Sequence, residues 1–186
     1  QRGAVMGYTA IIDYGVGNLK SVSNALAYLG VDSEITGDPC RLELADAIIL
    51  LGVGAFPDAA DKLRESGLEQ ILLRQAGNKP ILGICLGMQL LFQWGEEGRR
   101  CEGLGLISGG VRRIETDLKL PHIGWNSLNI VNPNPLTAGL SDGDYVYFVH
   151  SFCAKVKNSE DLAMTTDYGT TVTAMIARGN VFGCQF

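Results

Sequence analysis

The 186-residue chain, 46% apolar and 19% charged with a formal net charge of −5, has the length and composition of one compact globular domain and not of a disordered segment. So acidic a chain has no basic field to hold a phosphate backbone, and no apolar run reaches the length of a membrane span, so nucleic acid and membrane are excluded as expected partners. Five cysteines (Cys40, Cys85, Cys101, Cys153, Cys184), odd in number and without paired spacing, argue against a disulfide framework or a structural zinc site. A cytosolic protein with reduced thiols, no metal and no cofactor is expected.

Residues 1–7 read as a disordered or ragged lead, without the ordered regions of a signal peptide, and 8–186 as a single domain. "YTAIID" is a buried strand, followed by a helix in "NLKSVSNALAYLG" with Leu19, Val22, Leu26 and Leu29 on one face and Gly30 as its stop. Strands follow near "VDSEI" and at "DAIILL", the latter running into the glycine-rich loop "GVGAF". One helix is predicted over "PDAADKLRESGLEQILLRQAG", buried through Ala60, Leu63, Leu68, Ile71 and Leu72, with Gly67 as a weak point. "PILGI" is a fourth buried strand and "LGMQLLFQWG" a helix. Strands alternating with helices predict an α/β fold, a mostly parallel sheet flanked by helices. From about Leu104 the pattern becomes β-rich, with strands in "GVRRIE", "NSLNIV", "YVYFVHSF", "TVTAMIARG" and "NVFGCQF", expected to extend or cover the same sheet.

The chemistry centres on Cys85, between Gly83 and Gly87 in "GICLG". A residue at a strand-to-helix turn is lifted above the sheet when small neighbours allow close approach. The helix N-terminus that follows favours thiolate over thiol. In an α/β sheet "GVGAF" falls at the same edge, where its N–H groups and that of Leu86 can hold an oxyanion. A buried, inert cysteine beside an ordinary loop is the competing reading. A thiol nucleophile also wants a histidine base, and residue types alone offer His122 and His150 without choosing between them.

"GICLGMQLLF" resembles the nucleophile elbow of class I glutamine amidotransferases. With "DYGVGNL", "GVGAF", "PHIGWN" and "YFVHSF" in consistent order from Tyr8 to Phe186, the chain is similar to the glutaminase subunits of imidazole glycerol phosphate synthases within that family. The resemblance implies hydrolysis of glutamine to glutamate and ammonia, the ammonia passing to a (βα)₈ cyclase partner in histidine biosynthesis. It makes Cys85 the nucleophile and gives the oxyanion to the N–H groups of Leu86 and Val53, with Gly52 lending the loop freedom. Gln89, Glu97 and the "HSF" residues His150, Ser151 and Phe152 would contact glutamine, which takes the base role away from His150. Trp125, Asn126 and Asn18 would face the partner.

Two positions depart from the family pattern. Leu51 stands where the family usually has proline ahead of the oxyanion glycine. The His-Pro-Glu that follows the last strand, and supplies the base and its orienting carboxylate, is not in this sequence. The expectation is a piece of an ordinary glutaminase subunit, inactive as it stands. The alternatives are a non-catalytic protein of the same fold that docks on a cyclase barrel, or the glutaminase of another synthase.

Overall fold

Consecutive apolar residues in the first half need cover on both faces, which a parallel sheet between helices provides. The computed structural model describes residues 7–186, so the lead read over 1–7 lies outside the described residues except for Gly7. The first half runs β1 (Thr9–Ile12), α1 (Leu19–Tyr28), β2 (Ser33–Thr36), α2 (Pro39–Leu44), β3 (Ala47–Gly52), α3 (Phe56–Glu65), α4 (Leu68–Gln75), β4 (Ile81–Cys85) and α5 (Leu86–Leu90). Alternate residues of the strands point to opposite faces. Ile11, Ile49 and Leu51 meet Leu19, Val22 and Leu26 of α1 on one side. Ile12, Ile48 and Leu50 pack with Phe56, Leu63, Leu72 and Met88 on the other.

The helices differ from their expected bounds for local reasons. Leu29 is the C-cap of α1 and is exposed rather than part of its apolar face. The single helix expected over 57–77 is two, because Gly67 takes φ 74° between them. The unforeseen α2 starts at an Asp38 cap followed by proline in its first turn, a signal present in the sequence. The helix after Cys85 ends at Leu90, and Phe92–Gly95 leaves as a strand.

The second half comprises β5 (Phe92–Gly95), β6 (Cys101–Glu102), β7 (Ile107–Arg113), β8 (His122–Ser127), β9 (Asn129–Ile130), β10 (Tyr145–His150), β11 (Phe152–Val156), β12 (Leu162–Asp167), β13 (Thr171–Arg178) and β14 (Val181–Cys184). It extends the main sheet only in part. That sheet has the order β2-β1-β3-β4-β14-β13-β12-β9, while β11-β7-β5-β6 form a separate sheet and β8 with β10 a two-stranded ribbon. "PHIGWN" is therefore itself largely strand, and "NSLNIV" breaks between β8 and β9. The last strand, β14, lies parallel to β4 in the middle of the main sheet, so the carboxyl ends of β3, β4 and β14 are neighbours. No helix among the described residues is long and apolar enough to cross a membrane.

Candidate active site

Cys85 closes β4 and caps α5 at φ 55° and ψ −117°, and it is the one non-glycine residue at positive φ among the described residues. Such a conformation costs on the order of 1–3 kcal/mol and persists only where the surroundings over-determine it. They do so here by removing side chains. A Cβ on Gly87 would lie 1.9 Å from the Leu50 carbonyl oxygen, and one on Gly83 would lie 2.6 Å from that of Gly87. With both bare, α5 sits directly on β3 and β4 and its first turn faces the sulfur.

Gly52 is level with Cys85 in the β3–β4 register, and a Cβ there would lie 2.9 Å from that of Leu86. Two residues on, Gly54 takes φ 89°, and nothing lies within 4 Å of a Cβ added there. Ahead of the loop the buried Tyr14 hydroxyl donates to the Leu51 carbonyl at 2.7 Å. Burial raises the Tyr14 pKa, so the phenol remains a donor. Tyr14→Phe is expected to cost about 1–2 kcal/mol of unfolding free energy by leaving a buried carbonyl unpaired, measured as a lower urea midpoint at unchanged slope.

A cavity of about 270 Å³ opens over this elbow, lined by Val53, Gly54, Cys85, Leu86, Gln89, Glu97, Pro121, Val149 and the corner His150, Ser151 and Phe152 between β10 and β11. The volume is below the roughly 300–1,000 Å³ of drug-sized sites and suits a small ligand. Of the pocket residues expected from sequence, Cys85, Val53, Leu86, Gln89, Glu97, His150, Ser151 and Phe152 line this one cavity, and Gly52 does not. Gln89 is buried: its amide donates to the Phe152 carbonyl at 3.2 Å and to Gln185 Oε1 at 3.0 Å. Glu97 Oε2 accepts the Phe56 N–H at 2.8 Å, capping the N-terminus of α3, where Ala55 offers no side-chain cap.

Gln185 was missed by the sequence reading. It follows β14, is 1% exposed, and its amide donates to Cys85 Sγ at 3.7 Å. The thiolate expectation also needs correcting. Burial pushes the Cys85 thiol above its ordinary pKa and outweighs the lowering by the Leu86 N–H and the Gln185 amide. Both ring nitrogens of His150 are occupied, Nδ1 at 2.8 Å from the Phe152 carbonyl and Nε2 at 3.1 Å from His122 Nδ1. Burial, with a hydrogen bond to Phe152 opposing it, drives the His150 pKa down to about 4. Neither histidine is hydrogen-bonded to the sulfur.

The residues expected to face a partner are separated. Trp125 is 67% exposed and meets Tyr147 edge-on at 5.6 Å across the ribbon, where Ile123, Tyr145 and Val149 are exposed with them. Asn126 is next in the strand, so it points the other way, where it bonds to His122 and to the Asp167 carbonyl. Asn18 is exposed and caps α1 by accepting the Ser21 N–H at 3.4 Å.

The family pattern described as glutamine amidotransferase class-I matches residues 10–186. An imidazole glycerol phosphate synthase subunit HisH from Caldanaerobacter subterraneus subsp. tengcongensis is 48% identical over 177 residues, covering 95% of this chain and 87% of that protein. One of the same name from Bacillus cereus is 48% identical over 178 residues, with 95% and 85% covered. Among solved structures, a glutamine amidotransferase superposes with a TM-score of 0.76 at 18% identity, covering 97% of this chain and 89% of that one. PurLQS from Thermotoga maritima does so with 0.73 at 21%, covering 96% and 85%. At those identities the superpositions speak for the fold.

Proposed function

This chain belongs to the class I glutamine amidotransferase family, and from that membership we propose that it is the glutaminase subunit of an imidazole glycerol phosphate synthase, a cytoplasmic enzyme of histidine biosynthesis. The observation that carries the reading is Cys85 at positive φ on a strand-to-helix elbow, opening into a small cavity whose wall includes Gln89 and Glu97.

Cys85 Sγ attacks the side-chain carboxamide carbon of glutamine. The oxyanion is held by the N–H groups of Leu86, already at the sulfur, and of Val53 after the glycine loop turns. Collapse of the tetrahedral adduct breaks the C–N bond and releases ammonia, leaving a thioester that water hydrolyses to glutamate and free thiol. The base for these steps is the histidine that follows the last strand in the family pattern, a residue the given sequence does not include. β14 ends with Cys184 level with Ile84, and the next residue, Gln185, lies against the sulfur, which supports that placement. Glu97 suits the substrate ammonium, and the 150–152 corner offers backbone groups to the rest of the molecule.

Ammonia goes to a (βα)₈ cyclase partner docked on the exposed face of the ribbon, with Trp125 at its centre. Trp125→Ala is expected to weaken that complex by about 2 kcal/mol, a roughly thirtyfold rise in Kd, with no change in the subunit's own unfolding. A titration by calorimetry that finds equal affinities removes Trp125 from the interface.

The decisive assay is glutamate release by the full-length protein, with the family's histidine base in place, with and without the ligand-loaded cyclase. Turnover that is low alone and rises with the partner supports a glycine loop with two states, one of which the interface favours. No glutamate in either case overturns the reading, leaving a docking protein of the same fold.

A further inference from the structure

Four polar contacts run in series behind the ribbon, and their protons can be counted. His150 Nδ1 lies 2.8 Å from the Phe152 carbonyl, His150 Nε2 3.1 Å from His122 Nδ1, and His122 Nε2 2.8 Å from Asn126 Oδ1. Asn126 Nδ2 donates to the Asp167 carbonyl at 2.9 Å. A carbonyl oxygen can only accept, so each contact needs one proton and the amide supplies only the last. Turning the amide over moves the shortfall without removing it, because its oxygen then faces the Asp167 carbonyl. The other three contacts require three N–H groups from two imidazoles, and two neutral rings carry two.

We propose that the His122–His150 pair holds this third proton, as an imidazolium at His122 beside a neutral His150, and that the pair positions the Phe152 carbonyl in the wall of the pocket. The identity of the ligand in that pocket rests on the glutaminase reading; the proton count does not.

The surroundings fit a buried cation. His122 is 0% exposed and lies stacked between Phe148, with ring centres 4.9 Å apart, and Tyr168, at 3.9 Å. Aromatic faces attract a cation, most strongly when it is desolvated. Both of its N–H groups end on acceptors, and these charge-assisted bonds offset part of the cost of burial. His150 then spends its lone pair on His122 and its one proton on the Phe152 carbonyl, which also accepts from Gln89. An imidazole that accepts from a cation is a stronger donor at its other nitrogen, so the charge tightens the hold on the pocket wall.

The sequence contains two histidines, so its imidazole spectrum is assigned with one variant, His122→Gln. Long-range ¹H–¹⁵N correlation of the labelled protein at neutral pH is expected to show three protonated ring nitrogens: both of His122, and Nδ1 of His150. Two protonated nitrogens in total, or a charged His150, overturns the proposal. Positioning is read from glutamine affinity in a Cys85→Ala background. His122→Gln, which keeps a neutral donor to His150, should raise the Kd roughly tenfold, and so should Asn126→Leu, which removes the acceptor of His122 Nε2–H. An unchanged Kd in the folded variants overturns the positioning role. If the Cys85→Ala parent binds no glutamine, the glutaminase reading fails on its own. In that case the His150 Nδ1–H signal decides: if it is unaltered in both variants, the pair positions nothing.

Discussion

Cys85→Ala in the full-length protein bound to its synthase partner is expected to lower glutamate release by at least about three orders of magnitude, since removing the attacking nucleophile of an acyl-transfer site can cost about six. The loss should fall on kcat, because the substitution changes none of the cavity residues proposed to hold glutamine, Gln89, Glu97 and the 150–152 corner. A loss confined to KM would mean that Cys85 contacts the substrate without attacking it. The same residue carries a stability prediction of opposite sign. Because φ 55° strains any side chain, Cys85→Gly should be more stable than Cys85→Ala by about 1 kcal/mol, although glycine loses more chain entropy on folding. Since burial raises the thiol pKa, alkylation of Cys85 by iodoacetamide in the free protein should rise with pH above the range of an unhindered thiol.

Gly87→Ala should be the most damaging methyl group that can be added to the elbow, costing about 3 kcal/mol or more and leaving little folded protein. The added carbon would fall 1.9 Å from the Leu50 carbonyl oxygen, which is main chain in a central strand and has no rotamer in which to escape. The helix must lift from the sheet, and lifting it moves Cys85 and the Leu86 N–H together. Urea unfolding monitored by circular dichroism measures the cost. Gly15→Ala is a control: that glycine, unlike Gly87, has positive φ, but nothing lies within 4 Å of an added Cβ, so its penalty is backbone strain alone. Equal midpoints for the two variants would show that close approach at Gly87 does not hold the elbow.

The elbow was legible because its determinants are local. An apolar run, two glycines spaced around one cysteine and a helix start occupy adjacent residues, and β3 with its glycine loop reads in the same way. The alternation that turns Asn126 away from Trp125 was readable too, since neighbours in a strand face opposite sides, but a motif quoted as a block hides it. Gln185 was not legible. Its place beside Cys85 depends on β14 pairing with β4, and no period in the sequence tells which strand a lone "VFGC" will join. Glu97 is similar: its cap on α3 links residues 41 apart. The division of the second half into three sheets escaped for the same reason, because strand patterns carry no partner's address.

The central position of β14 bears on how the molecule is assembled. Its partners in β4 lie a hundred residues earlier, and strands so distant in sequence meet late and slowly as a chain folds. During synthesis, which runs at roughly 5–20 residues per second, β4 emerges with one edge paired to β3 and the other open for the several seconds needed to make the intervening chain. An open apolar edge is a template for another chain. The strand that brings Gln185 to the nucleophile is thus also the one that closes this edge, so the thiol acquires its neighbour in the same event that protects the nascent chain from aggregation.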